Sequence, residues 1–301
     1  MSFLKKCLSL SKTSFHIFSE NHPVKFASAI AYFSLFALPS MLLIIVYFFS
    51  IFFSVEYILG ELKEQLSNVV GEEGANIVVV ITENYKEQAA ESVFSQLLYS
   101  VVIFWLSTQL FRLFQNSLND LWRVKPDFDN PWERIWMERI LTFFLVMGSG
   151  ILLFSSVAVE WFLELLLGSG GGEGNWTLTS ILVNTITAVL VFLWFSLLYK
   201  VLPAVQIQWG PTFVGALVTS ILIIIGYFLL WEFVVKRDLE DFYDVVASIV
   251  VVLLWIFYSS LVFLFGASFT KAYSYDRGKP IAPATYAYKF KEVRDNQNVL
   301  D

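Results

Sequence analysis

Six stretches of this chain are each long and apolar enough to cross a bilayer: 27–55, 93–113, 140–167, 178–202, 212–235 and 245–269. A crossing takes about 20 mostly apolar residues. Inside hydrocarbon the backbone has no outside partner, so only helices or a closed barrel can span. Barrel strands alternate apolar and polar residues over about ten positions. SILIIIGYFLLW (220–231) and VASIVVVLLWIFYSSLVFLF (246–265) show no alternation. The expectation is an all-α, polytopic membrane bundle of six transmembrane helices over residues 1–275, with 276–301 as a polar tail. Composition agrees: 57% of residues are hydrophobic and 15% charged, against about 45–50% and 25% in soluble domains.

Basic residues favour the cytoplasmic side of a membrane. With the N-terminus placed there, 16 of the 20 Lys and Arg fall in inside segments, and Lys63, Lys86, Lys236 and Arg237 fall outside. Both termini are therefore expected in the cytoplasm. The ASA at 27–29 precedes the first apolar run instead of following it, so that run reads as a retained span and not a cleaved signal.

The same inventory removes whole classes of chemistry. Cys7 is the single cysteine, and His16 and His22 are the only histidines. No thiolate or imidazole metal set can be assembled from these, and no cofactor is expected. No P-loop and no GxGxxG follows a strand, and no Ser/His/Asp set is present, so an enzyme finds little support. Glu160, Glu164 and Glu232 lie near outer helix ends, and Asn184 lies in the outer half of the fourth span. A proton pump would usually place a charge near mid-membrane.

The connections differ in character. In 56–92, Leu59, Leu62, Leu66, Val69 and Val70 recur at helical spacing, as do Ile77, Val80 and Ile81 after Gly71 and Gly74. That pattern predicts an external amphipathic helical hairpin between helices one and two. Residues 168–175, GSGGGEGN, read as a flexible outer loop. The acids Asp238, Glu240, Asp241 and Asp244 read as a solvated loop or helix cap, ahead of a hard-cation site. The tail from 279 reads as polar, with a mobile end.

Three places could carry function. Gln109, Arg112, Asn116, Asn119 and Arg123 follow steps of three and four, so they share one face of helix two. Phe111, Phe114, Leu118 and Leu121 hold another face. Such a stripe either lines a cytoplasm-open cavity that attracts an anionic headgroup, or is a helix end emerging into water and pinned to its neighbours. In helix one, Pro39 removes a backbone bond near residue 35. A kink there, near Tyr32, would either line a pathway or serve packing. Between helices four and five, Pro203 and Pro211 bracket a short turn. Gly215, Ala216, Thr219 and Ser220 then form a small-residue patch suited to tight helix contact.

These motifs resemble the YihY/BrkB family of bacterial inner-membrane proteins along most of residues 15–275. The matching stretches are AIAYFSLFALP (29–39), FRLFQNSLNDLWRV (111–124), LYKVLP (198–203), GALVTS (215–220) and LLWIFYSSLVFLFGA (253–267). Two positions depart from the family pattern. Tyr243-Asp244 stands where a Tyr-Gly pair is frequent, and Ser268 where a Glu often follows the late Gly-Ala. The resemblance implies a six-helix protein of the inner membrane. It also implies that the older ribonuclease BN label is mistaken. The residues agree, since there is no basic soluble domain for nucleic acid. Two functions follow as expectations. One is a transporter or flippase of an amphipathic, anionic envelope substrate such as a lipid, with Gln109, Arg112, Asn116, Asn119, Arg123, Tyr32 and Pro39 along the pathway. The other is a non-transporting scaffold for envelope proteins or for self-association.

Overall fold

The computed structural model describes residues 3–51, 53–64, 109–127, 139–141, 143–152, 175–233 and 244–290, with isolated positions between them. Its helices are α1 (Phe3–Glu20), α2 (Pro23–Phe49), α3 (55–64), α4 (109–121), α5 (Arg139–Leu152), α6 (Asn175–Val201), α7 (Trp209–Phe233) and α8 (Asp244–Asp276). Among the described residues there are also four very short strands: β1 (Val124–Pro126), β2 (Val205–Gln206), β3 (Ala282–Pro283) and β4 (Ala287–Lys289).

Among the described residues, four helices are long and apolar enough to cross a membrane: Pro23–Val46, Ile181–Val201, Trp209–Leu229 and Ile249–Asp276. They correspond to the first, fourth, fifth and sixth apolar runs. The second and third runs are helical where described, in α4 and α5, and their remainders lie outside the described residues. So do most of the predicted 56–92 hairpin, the 168–174 loop and Asp238, Glu240 and Asp241. Asp244 opens α8.

Local chemistry explains the helix starts. Pro23 stands in the first turn of α2, where its missing N–H is one the helix leaves unpaired anyway. His22 before it adopts a left-handed conformation, φ 47°, and turns the chain from α1 into α2. The assigned helix runs on through Pro39. Pro211 likewise falls in the first turn of α7, beside Thr212, whose hydroxyl donates to the Gln208 carbonyl at 2.9 Å.

Helix α8 is the hub, packing against α7, α2 and α1. Lipid tails are as apolar as leucine, so helices in a membrane are held by close packing and hydrogen bonds more than by apolar burial. The α7–α8 contact shows both. Gly215 and Gly266 face each other so closely that a Cβ on Gly215 would stand 2.8 Å from the Gly266 carbonyl oxygen. One on Gly266 would stand 3.2 Å from that of Gly215. The small-residue patch thus does what its composition predicts. Large apolar side chains face outward instead, among them Phe144, Phe228 and Val250.

Two features had no counterpart in the apolar pattern. Helix α1 is too polar to register as a run, yet it packs against α8, with Phe18 edge-on to Phe265 at 5.7 Å. The start of the tail is stitched to the bundle. β4 pairs antiparallel with β1, and β3 with β2. Further bonds run from Asp127 N–H to the Tyr286 carbonyl (2.7 Å) and from Ala284 N–H to the Ala204 carbonyl (3.0 Å). Residues beyond 290 lie outside the described region. Deleting residues 280–301 is expected to destabilise the detergent-solubilised protein by roughly 2–4 kcal/mol, a few net hydrogen bonds' worth. A thermal ramp with size-exclusion readout would register this as a lower melting point.

Candidate functional site

The stretch 114–124 closes the end of the bundle where the tail is docked. Leu118 and Leu121 are buried, and Phe114 stacks edge-on against Phe263 at 5.1 Å. The polar groups beside them find main-chain partners far away in sequence. The Asn119 side chain is buried, and its Oδ1 accepts the Ala204 N–H at 2.8 Å in the turn between α6 and α7. Trp122 Nε1–H donates to the Ala267 carbonyl of α8 at 3.2 Å. Lys271 of α8 donates through Nζ to the Leu121 carbonyl at 2.6 Å. That carbonyl is among the last of α4, where the helix dipole presents its negative end and welcomes a cation.

Arg123 terminates the helix. Its φ is 55°, a left-handed conformation more usually filled by glycine at a helix C-terminus. Its N–H donates to the Asp120 carbonyl at 2.9 Å, and its own carbonyl accepts the Phe290 N–H at 3.1 Å. This one segment thereby ties α4, the α6–α7 turn, α8 and the tail together.

The predicted stripe therefore divides. Asn119 faces the protein interior and is pinned to a neighbour. Arg123 is exposed at the helix end, and its main chain is used in the closure. Gln109 and Arg112 are half-buried, and Asn116 is exposed. Tyr32 stands on the outer face of α2, 59% exposed, with its ring against Phe33 and Phe36. Pro39 is half-buried further along the same helix. Tyr32 is thus not brought to the buried Asn119. Sequence reasoning missed Trp122, Lys271 and Tyr199 as structural members, because their partners cannot be inferred from local spacing.

Tyr199 is fully buried, its hydroxyl 2.7 Å from the Phe263 carbonyl oxygen and 2.6 Å from Thr219 Oγ1. Thr219 Oγ1 also reaches the Gly215 carbonyl at 3.0 Å. Two hydroxyl protons thus serve three close contacts that join α6, α7 and α8. The ring of Tyr199 stacks on Phe263 at 5.0 Å.

A second feature lies on the side of the bundle. Helices α5, α6 and α7 enclose an open groove of about 840 Å³, lined by Gly148, Ile151, Leu193, Trp194, Trp209 and Phe213 among others. Among the described wall residues Ser196 alone bears a hydroxyl, and it turns that group to the Phe192 carbonyl at 2.8 Å. The described wall is accordingly largely apolar. Gly148 makes room for the Trp194 ring, whose atoms would lie 2.5 Å and 2.6 Å from a Cβ placed there. Trp209 begins α7 at one end of the groove, with Lys200 Nζ 5.5 Å from its ring centroid. The same ammonium donates to the Ile207 carbonyl. An aromatic–cation pair at a span's end suits the headgroup level.

Fold and site together define a multi-pass α-helical membrane protein with an apolar side groove and one hydrogen-bonded end. The family model described as "Virulence factor BrkB" matches residues 14–288, and the chain belongs to that family. It is similar to curated membrane proteins named UPF0761. One, from Stenotrophomonas maltophilia, is 22% identical over 92% of this chain and 63% of its own length. Another, from Haemophilus influenzae, is 23% identical over 83% of this chain and 89% of its own. A third, from Tolumonas auensis, is 27% identical over 55% of this chain and 53% of its own. The matched region thus spans about half to two-thirds of the Tolumonas and Stenotrophomonas relatives. No solved structure matches the chain.

Proposed function

We propose that this protein handles a membrane lipid, seating an acyl chain in the α5–α6–α7 groove and acting as a transporter or flippase of an anionic, amphipathic envelope substrate. The groove carries the reading. It is apolar, open to the side of the spanning helices, and within the roughly 300–1,000 Å³ range of ligand pockets. The Lys200 ammonium, 5.5 Å from the ring centroid of Trp209 in the groove wall, offers a cationic contact for a headgroup. The proposal takes six spans in a bacterial inner membrane with both termini cytoplasmic, as the skew of 16 basic residues to one side supports.

The test is a proteoliposome assay of lipid scrambling and solute flux across a broad panel. Accelerated lipid exchange is expected, and unchanged rates throughout would refute transport. Leu193→Trp, which fills the groove, is expected to lower lipid exchange and co-purifying lipid roughly tenfold. Blocking contact with two methylenes, at about 0.8 kcal/mol each, is enough for that.

A second reading, a non-transporting scaffold, is favoured by one observation. Asn119, the buried member of the polar stripe, is engaged in a structural bond to the Ala204 N–H. Co-purification of one stoichiometric partner, lost on deleting residues 56–92, would support it over transport.

A further inference from the structure

Helix α1 has three distinct facets. One rests on the bundle: Ser14 is fully buried, and Ile17 and Phe18 pack against the core. A second carries Leu8 and Phe15, seven residues apart and so on one edge, 74% and 62% exposed. The third carries Lys5 and Lys12, also seven apart and both exposed, each three residues before an apolar partner. A Lys-x-x-Leu and a Lys-x-x-Phe thus repeat two turns apart, setting a cationic column beside an apolar one.

The position of α1 says what covers that edge. Only Asn21 and His22 separate it from α2, whose spanning part begins at Pro23. The 18-residue helix, about 27 Å long, is therefore held at the end of a membrane span. Val24, the next exposed apolar side chain after Phe15, stands in the first turn of that span. A helix with an apolar edge, a cationic edge and this location has the form of an interfacial helix.

We propose that α1 lies in the membrane–water interface as a binding surface for anionic lipid. Leu8 and Phe15 enter the boundary between headgroups and acyl chains, and Lys5 and Lys12 meet lipid phosphates. The contact is independent of the groove and holds whether or not the protein transports lipid.

The test uses the full chain in nanodiscs. Nitroxides are attached at Leu8→Cys and Phe15→Cys in a Cys7→Ser background. Both labels are expected to collide more with oxygen than with a water-soluble nickel chelate. Collision mainly with nickel would overturn the proposal by placing this edge in water. Shielding from both would overturn it in favour of a second copy or another protein on this face. Lipid charge is tested by hydrogen exchange of the α1 amides. Near an anionic surface each lysine contributes roughly fivefold in binding, so exchange is expected about twentyfold slower with phosphatidylglycerol than with phosphatidylcholine alone. In Lys5→Gln/Lys12→Gln that difference should vanish. Equal exchange of the wild-type helix in the two lipids would refute anionic-lipid binding.

Discussion

Gly266→Ala is expected to leave little folded protein after detergent extraction. The added methyl would strike Thr219 Oγ1 and the Tyr199 hydroxyl, and would stand 3.2 Å from the Gly215 carbonyl oxygen. None of these can yield cheaply. The carbonyl is helix backbone, and the two hydroxyls hold α6 to α7 and α8. Overpacking a tight site costs about 1–3 kcal/mol, and orphaning a buried hydrogen-bonding group adds a further 1–3 kcal/mol or so. Gly215→Ala should behave alike, since its methyl would meet Thr270 Oγ1 and, at 2.8 Å, the Gly266 carbonyl oxygen. Gly210→Ala is the control, because nothing lies within 4 Å of its Cβ position. Melting in detergent, followed by size-exclusion chromatography, decides the matter. A Gly266→Ala protein as stable as Gly210→Ala would show that α7 and α8 are not packed through these glycines.

Asn119→Ala is expected to cost about 1–3 kcal/mol of stability, because the Ala204 N–H loses its acceptor in a residue that is 1% exposed. Asn119→Asp keeps an acceptor at that place but brings a charge into a buried site, so it should not restore full stability. Asn116→Ala, at an exposed position of the same face, is expected to change stability little. This contrast separates the two readings of the polar stripe. A pathway role for Asn119 would appear as lost lipid exchange at unchanged melting temperature. A structural role lowers the melting temperature itself.

Much of the fold was legible because a bilayer imposes a coarse, local rule. The first, fourth, fifth and sixth apolar runs fall on α2, α6, α7 and α8, with starts displaced by no more than four residues. The larger error is at the end of α8, which continues to Asp276 instead of stopping near 269. Apolarity measures contact with lipid, whereas helix continuation needs only that polar residues find partners. Thr270 and Ser274 are buried and hydrogen-bonded, and Lys271 reaches the end of α4. The polar residues there thus continue the helix that the apolar count had ended. Helix α1 escaped for the converse reason, since its apolar residues are spaced around a helix instead of being gathered in a run.

The candidate site was legible only in part. The three-and-four spacing singled out the polar stripe from Gln109 to Arg123, but Asn119 and Leu118, read as lying on different faces, are both buried. Which groups the polar residues would meet was beyond any local pattern. The partners of Asn119, Trp122 and Leu121 lie 85, 145 and 150 residues away along the chain.

The sequence by itself determined a multi-pass helical membrane protein, its family, and a small-residue patch on α7 suited to close helix contact, whose partner α8 only the structure shows. Hydrocarbon demands long apolar helices, and close helix approach demands small side chains, and both demands are written in consecutive residues. The tertiary structure alone decided that the polar end of α4 is a tie among four parts of the chain, that the tail's first residues are strands, and that α5, α6 and α7 leave a groove. Each depends on main-chain groups or voids brought together from distant segments. A carbonyl or an empty space has no residue type of its own.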